Sequence, residues 1–278
     1  DFMKELHCGL IGFPLVHSKS PEIHKALFSL SGRRYRYDML EISPDKLESH
    51  VPDLEELDGF NITIPHKQSI IPYLSELDVS AGRYQAVNTV KVHRGRMVGY
   101  NTDVNGFLGA LALAGIPLKG RVLICGAGGA ASMAATEAVR QGCRLVVTAR
   151  ESSAAKGGAL ARRLGGDFVR DPREAGKFDL LINATPAGMF PNHMEQLPAP
   201  REVIRRCYAV VDKVYNPGKT LDKQVGEKKK LPCAKGMAML VLQAAAAHEI
   251  WYGAQFEKKE LLNVICRMEA SMEGGEGI

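Results

Sequence analysis

The stretch Asn61-Ile62-Thr63-Ile64-Pro65-His66-Lys67 places a hydroxyl, an imidazole and a primary amine at the exit of one predicted strand. Ile62 and Ile64 alternate with Asn61 and Thr63, the period of a half-buried strand. Pro65 ends the run because it has no N–H for a ladder. Lys67 is left just past a bend, where an amine can serve as a general acid or base. An isolated lysine there is a solvated surface residue, so its meaning depends on the other polar clusters. Ser18-Lys19-Ser20 puts two hydroxyls on alternate positions after a strand and loop. Asn88 interrupts the apolar stretch Ala86-Val87-Asn88-Thr89-Val90, which a strand tolerates only if the amide is hydrogen-bonded. Asp103 follows Gly99-Tyr100-Asn101-Thr102. Singly, these residues read as a helix cap (Ser20), a satisfied core amide (Asn88) and a helix N-cap (Asp103). Together their hydroxyls, amides, amine and carboxylate suit a polyhydroxylated small molecule bearing an acid group. His66 is assigned no catalytic role, its side chain being directed away from that of its neighbours.

A second kind of chemistry is written in Gly126-Ala127-Gly128-Gly129-Ala130-Ala131. The segment follows the predicted strand Val122–Cys125 and opens a helical stretch, the context that makes G-x-G-x-x-G/A a dinucleotide fingerprint. Gly126 permits the tight turn, Gly128 lets backbone approach a pyrophosphate, and Ala131 lets helix and strand pack closely. The helix N-terminus offers N–H donors to phosphates. The end of the next strand, Thr148-Ala149-Arg150-Glu151-Ser152-Ser153, selects the cofactor. Arg150 suits the 2′-phosphate of NADP, whereas an inward Glu151 would repel it.

The elements that must position these residues change character near residue 103. Before it, short strands (Cys8–Gly12, Tyr35–Ile42, Gly59–Ile64, and a hairpin of Ala86–Val92 with Met97–Tyr100 across Arg94-Gly95) mix with a helix over Pro21–Ser31, with Ser20 as N-cap and proline at its first position. After it, Val122–Cys125, Leu145–Thr148, Leu180–Ile182 and Tyr208–Val211 are continuous apolar runs separated by helical stretches. That pattern predicts βαβ units and a parallel sheet buried on both faces. Long helices are expected over Met237–Tyr252 and Lys258–Met272.

At 278 residues, with 45% apolar and 24% charged residues, the chain has the composition of an ordinary globular protein of one or two domains. The net charge of +5 is mild, and the one dense basic run, Lys228-Lys229-Lys230, is too short to argue for nucleic acid. Six cysteines stand at positions 8, 125, 143, 207, 233 and 266 without CxxC or metal spacing, which argues against a disulfide framework or a metal site. Without a leader pattern or an apolar run of 18 residues, a cytoplasmic protein with no membrane partner is expected.

The chain resembles the shikimate dehydrogenase (shikimate/quinate dehydrogenase) family over nearly its full length. The resemblance rests on His17-Ser18-Lys19-Ser20-Pro21, Asn61 to Lys67, Ala86-Val87-Asn88-Thr89, Asn101-Thr102-Asp103 and Gly126 to Ala130. It continues through Asn183-Ala184-Thr185-Pro186-Ala187-Gly188-Met189, Val214-Tyr215-Asn216-Pro217, and Gly236 with Met239-Leu240-Val241-Leu242-Gln243. It implies an α/β protein of two domains, with residues 1–103 plus 238–278 binding substrate. Residues 104–237 would form a Rossmann-type doubly wound parallel sheet for the dinucleotide. It further implies C-terminal helices that return to the first domain and an active site in the cleft between the two. The implied reaction is the reversible, NADP-dependent reduction of 3-dehydroshikimate to shikimate, a step in chorismate and aromatic amino-acid biosynthesis. By the same resemblance Ser18 and Ser20 hold the substrate carboxylate, and Thr63, Asn88, Tyr215 and Gln243 line the substrate. Lys67 (acid/base) and Asp103 form the catalytic pair. Gly126, Ala127, Gly128, Gly129, Ala130 and Arg150 hold the dinucleotide, and Lys213, Gly236 and Met239 approach its nicotinamide end. The expected partner is the small-molecule substrate alone, in a monomer or homodimer.

The chain departs from the family at its usual NADP clasp, Asn-Arg-Thr with a second basic residue shortly after. Here Ala149-Arg150-Glu151 is followed by Ala154 where the second basic residue is expected, so NAD use stays open. Pro186 replaces a common serine and Gln85 a common glycine. The alternatives are an NAD-using quinate/shikimate dehydrogenase, which Ser20 disfavours; a non-catalytic dinucleotide-binding protein, which intact Lys67 and Asp103 disfavour; and a folate or similar dehydrogenase, which the paired serines fit poorly.

Overall fold

The structure is a computed structural model that describes residues 4–16, 18–189, 192–215 and 231–273. Chain packing divides it into one unit of Asp1–Gly106 with Leu240–Cys266 and another of Phe107–Met239 with Arg267–Ile278.

The first unit is built on β1 (Leu6–Gly12), β2 (Tyr35–Glu41), β3 (Gly59–Ile62), β4 (Glu76–Leu77), β5 (Thr89–His93) and β6 (Arg96–Tyr100), in the order β2-β1-β3-β5-β6-β4. β1 pairs parallel with β2 and β3, and β5 runs antiparallel to β3 and β6. β1 is nearly all buried, which is why it reads as a continuous apolar run rather than an alternating one. The expected β5–β6 hairpin turns at Arg94 (φ 51°) and Gly95 (φ 73°). Two positive φ values in succession are the type I′ geometry whose twist matches the strands. β3 ends at Ile62, two residues short of the expected strand. Thr63 N–H still reaches Ile11 O at 2.9 Å, but Ile64 leaves the sheet, 73% exposed, and Pro65 has no N–H to continue it. The strand expected from Ala86 begins at Thr89, because Val87 N–H turns to Lys67 O (2.8 Å) instead of a ladder partner. The short helices Leu47–Glu55 and Val79–Tyr84, and two-residue β4, had no periodicity long enough to announce them.

One core cluster of this unit joins Ile11, Leu54, Phe60, Ile62, Ile70 and Met97. Burying each such side chain contributes about 1.5–3 kcal/mol. A second cluster joins Leu6, Cys8 and Phe28 to Ala247 and Trp251, so the helix Gly236–Tyr252 brings the far end of the sequence back to this sheet. Trp251 lies so close to Gly59 that a Cβ there would stand 2.4 Å from the indole, and its Nε1 donates to Val90 O at 2.9 Å.

The second unit contains β7 (Arg121–Cys125), β8 (Arg144–Thr148), β9 (Asp167–Phe168), β10 (Leu180–Asn183), β11 (Ala209–Asp212) and β12 (Cys233–Lys235). The order is β12-β11-β10-β7-β8-β9, with every pair parallel. Counted within this sheet it reads 6-5-4-1-2-3, the doubly wound order, with its reversal between β7 and β10. The helices Gly129–Arg140 and Ala154–Arg163 are the first two crossovers. The expected strands β7, β8, β10 and β11 are the buried centre; the edge strands β9 and β12 were too short to stand out. Among the described residues no helix is long and apolar enough to cross a membrane.

Candidate active site

Lys67 sits in a one-turn helix, His66–Ser69, just beyond β3. The turn is tied at both ends: His66 N–H reaches Thr63 O (3.0 Å), and Val87 N–H reaches Lys67 O (2.8 Å). His66 turns into the core, where its Nε2–H donates to Ile42 O at 2.6 Å. That contact gives His66 a structural task, anchoring the turn that carries Lys67. Lys67 goes the other way, and its Nζ donates to Asp103 Oδ2. Both side chains keep about a third of their surface open, 31% and 36%. Asp103 is the first residue of the helix Asp103–Leu113, and its N–H is taken by Asn101 Oδ1 at 3.1 Å. Asn101 therefore does the capping that was expected of Asp103, whose carboxylate is turned to Lys67.

Asn88 is the hub of the arrangement. Its Oδ1 accepts the Thr102 N–H at 2.7 Å, so its NH2 must face the other way. There it meets Asp103 Oδ1 (3.0 Å), Thr102 Oγ1 (3.0 Å) and Gln243 Oε1 (3.3 Å). Gln243 is held in turn by Leu240 O, to which its Nε2 donates at 3.0 Å. Behind Thr102 the chain of polar contacts continues through the core: Thr102 Oγ1 to Thr89 Oγ1 (3.2 Å), Asn61 Nδ2 to Thr89 Oγ1 (3.1 Å), and Tyr37 Oη to Asn61 Oδ1 (3.0 Å). Burial pushes the Tyr37 phenol well above its ordinary range, which keeps it a neutral donor. Thr102, Thr89 and Tyr37 were not anticipated. The available signal was that Asn88-Thr89 breaks an apolar run, and buried polar groups need partners.

Of the remaining expected substrate residues of this unit, Thr63 directly follows β3, and Ser18 and Ser20 lie between β1 and the first turn of the helix Ser20–Ser31. Phe13 N–H bonds Ile64 O at 3.0 Å, tying the two exits together. Gly12 meets Thr63 with no room for a Cβ, which would come within 2.4 Å of the threonine methyl. Ser20 is the first residue of the helix Ser20–Ser31 rather than its N-cap; Lys19 occupies the cap position without a side-chain bond. The turn is closed by Ser18 instead, whose Oγ accepts the Ser20 N–H at 3.3 Å. A hydroxyl at position 20 is therefore not spent on capping.

In the second unit, Gly126 follows β7 with φ +119°, a left-handed value that favours glycine, and its N–H is held by Thr148 O at 2.8 Å. A Cβ at Gly126 would come 3.1 Å from Ala184 O, whereas Cβ atoms at Gly128 and Gly129 would meet nothing within 4 Å. Gly128 is the N-cap of the helix Gly129–Arg140, and no side chain caps it. Ala127 and Ala130 complete a loop with open space above its first-turn N–H groups, which fits a pyrophosphate. The loop after β10 carries the Asn183–Met189 motif, and its packing gives that motif a structural task. Asn183 Oδ1 accepts from Thr185 N–H (3.0 Å) and Thr185 Oγ1 (2.6 Å), and Asn183 Nδ2 donates to buried Asp212 Oδ1 (3.0 Å). This shapes the wall that Gly126 must approach. Gly236 packs on the 213–214 backbone, where a Cβ would lie 2.2 Å from Lys213 O. Lys213 is exposed, and Met239 and Tyr215 are half-buried, with burial pushing the Tyr215 phenol up. His17, Asn216, Pro217 and the run 228–230 lie outside the described residues.

Residues 10–90 match the model of the shikimate dehydrogenase substrate-binding domain. The shikimate dehydrogenase (NADP(+)) of Rubrobacter xylanophilus is 40% identical over 259 residues, covering 88% of this chain and 90% of that one. The enzyme of the same name from Methanopyrus kandleri is 37% identical over 261 residues, covering 89% and 90%. The chain belongs to the shikimate dehydrogenase family. Among solved structures, shikimate 5-dehydrogenase of Thermus thermophilus in complex with NADP(H) and shikimate superposes with a TM-score of 0.82 at 32% identity, over 94% of this chain and 99% of that one.

The point where this family member departs from the usual dehydrogenase clasp lies just after β8. Arg150 is exposed ahead of the 3-10 turn Glu151–Ser153, and its carbonyl accepts the Ser153 N–H at 2.8 Å. Glu151 is paired with Arg170 through its Oε2. No second basic residue stands at Ala154, the first residue of the next helix.

Proposed function

We infer that this protein is an NADP-dependent shikimate dehydrogenase that reversibly reduces 3-dehydroshikimate to shikimate, an oxidoreductase of chorismate and aromatic amino-acid biosynthesis. The observation that carries the reading is the Lys67–Asp103 pair with Asn88 behind it, in a chain 40% identical to an NADP(+) enzyme of that name. Residues 1–103 with 238–278 form the substrate domain, and residues 104–237 the dinucleotide domain. The protein works in the cytoplasm as a monomer or homodimer.

Bound NADPH supplies the hydride that reduces the substrate ketone. The loop Gly126–Ala130 and Arg150 hold the cofactor, with Lys213, Gly236 and Met239 toward its nicotinamide end. Lys67 Nζ donates the proton to the developing alkoxide oxygen and stabilises its charge, effects worth about 10²- to 10⁴-fold. In the reverse direction the same amine takes the proton from the shikimate hydroxyl. Asp103 holds the amine in position and accepts from a neighbouring substrate hydroxyl. Asn88 keeps one Asp103 oxygen engaged, which leaves the other for Lys67. Ser18 and Ser20 hold the substrate carboxylate through neutral hydroxyls, and Thr63, Tyr215 and Gln243 contact its remaining polar groups.

Initial rates with shikimate and quinate, each with NADP+ and NAD+, test the reading. Fast turnover is expected for shikimate with NADP+; a higher kcat/KM for quinate or with NAD+ would overturn it. The NAD-using alternative is not favoured, because the two relatives named above, 40% and 37% identical to this chain, are NADP(+) enzymes.

A further inference from the structure

Glu151 is the acidic residue that follows Arg150 at the end of β8, where a free carboxylate would bond a ribose 2′-OH and repel a 2′-phosphate. The fold deals with that charge through the neighbouring strand. β8 and β9 are paired in parallel with Val147 opposite Phe168, and Val169 N–H extends the ladder to Val147 O at 3.0 Å. The register therefore brings Arg170 to the same carboxyl end of the sheet, level with residues 149–150, and its Nη1 donates to Glu151 Oε2. Arg170 is not diverted by the acid beside it. Asp171 caps the next turn through the Arg173 N–H (2.9 Å) and takes the Arg173 guanidinium through Nε (2.9 Å) and Nη2 (2.6 Å). The pair and Arg150 leave one net positive charge at this corner: Arg150 and Arg170 against Glu151.

We propose that Arg170 is a specificity-determining residue for the cofactor: by pairing with Glu151 it withdraws the carboxylate from the ribose 2′ position and gives Arg150 a site that accepts a 2′-phosphate. The inference rests on the NADP-dependent reading above and assigns the selectivity of that same site. It gives position 170, on a different strand from the fingerprint, a part in cofactor choice. It also turns Glu151 from an NAD-selecting acid into one half of a latent switch. With Arg170 removed, Glu151 is free to do what an acid at this position does, bond the 2′-OH.

Isothermal titration of NADP+ and NAD+ into the unliganded protein tests this without turnover. Arg170→Ala is expected to weaken NADP+ by about two- to fivefold, the size of an exposed charge interaction, while NAD+ binding holds or tightens. Glu151→Gln with Arg170→Ala is expected to recover most of the lost NADP+ affinity, because the carboxylate that repels the phosphate is gone. Both positions are exposed, and an unchanged melting temperature will show that the fold is intact. Equal weakening of both nucleotides, no change in either, or no recovery in the double variant would each overturn the proposal. Wild-type protein that binds NAD+ more tightly than NADP+ would overturn the underlying cofactor reading, and is recognised before any variant is made.

Discussion

The Asn88 carboxamide donates to Asp103 Oδ1 across 3.0 Å, and its direction is imposed by the Thr102 N–H on its other side. An asparagine can present either end of its amide. Here a backbone donor 2.7 Å from Oδ1 leaves only the NH2 for the carboxylate. Asp103 is thereby held from two sides, by Asn88 at one oxygen and by Lys67 at the other.

Replacing Lys67 by alanine removes the proton donor without touching the fingerprint loop. The expected result is a fall in kcat of about 10²- to 10⁴-fold with NADP+ affinity retained. Steady-state kinetics and nucleotide titration on the same preparation check it, and near-normal turnover would remove Lys67 from the acid/base role.

Asn88→Ala should cost both stability and rate. The Thr102 N–H, on a residue 1% exposed, loses its acceptor, a penalty of about 1–3 kcal/mol read from urea unfolding. Loss of the donor to Asp103 should lower kcat as well. A variant as stable as wild type would mean that water replaces the amide.

The first unit should lose stability as acid is added, because of a pair of histidines remote from Lys67. His24 and His248 are buried and joined Nδ1 to Nε2 at 2.9 Å, and His248 continues to Tyr252 Oη at 2.6 Å. Burial pushes His24 down to about 3 and His248 well below its ordinary value, the latter also through the charge of His24. Both pKa values are depressed on folding, so below about pH 6.5 the unfolded chain binds protons that the native state does not, and stability falls with pH. The slope is about 1.4 kcal/mol per pH unit for each histidine, from near pH 6.5 downward. His24→Phe should remove one proton from that slope in urea titrations at pH 4, 5 and 6; an unchanged slope would show that the pair does not carry it.

Gln85 closes the helix Val79–Tyr84 in the left-handed region, at φ 49° and ψ 43°. The family's common glycine at this position now has a reason, since a side chain there is strained. The glutamine recovers part of the cost through Nε2 donating to Gly82 O at 2.7 Å. Gln85→Gly is expected to raise unfolding stability by about 0.5–1 kcal/mol and to leave kcat unchanged. A lower melting temperature would mean that the side-chain bond outweighs the strain.

What was legible from residues alone follows from local physics. The fingerprint at Gly126–Ala131 is readable because turn, backbone approach and helix start all fall within six residues. The buried strands β7, β8, β10 and β11 are readable because a strand covered on both faces is apolar throughout, and the Arg94-Gly95 hairpin because its turn needs two positive φ values. The short edge strands β4, β9 and β12 were not, because their pairing is set by neighbours distant in sequence. The cap at Ser20 was misplaced by one residue because Ser18 could close the same turn, and only the backbone path chooses between them.

Sequence by itself determined the chemical inventory of this protein: an amine, a carboxylate, an amide, paired hydroxyls and a dinucleotide loop, in the order of one family. Only the tertiary structure decided how those groups are used. It sent His66 into the core and Lys67 to Asp103, ran a line of hydrogen-bonded polar groups from Tyr37 to Asn88, and set Arg170 against Glu151. Each depends on strand register between segments far apart in the chain, and register is a property of the packed sheet, which no local pattern encodes.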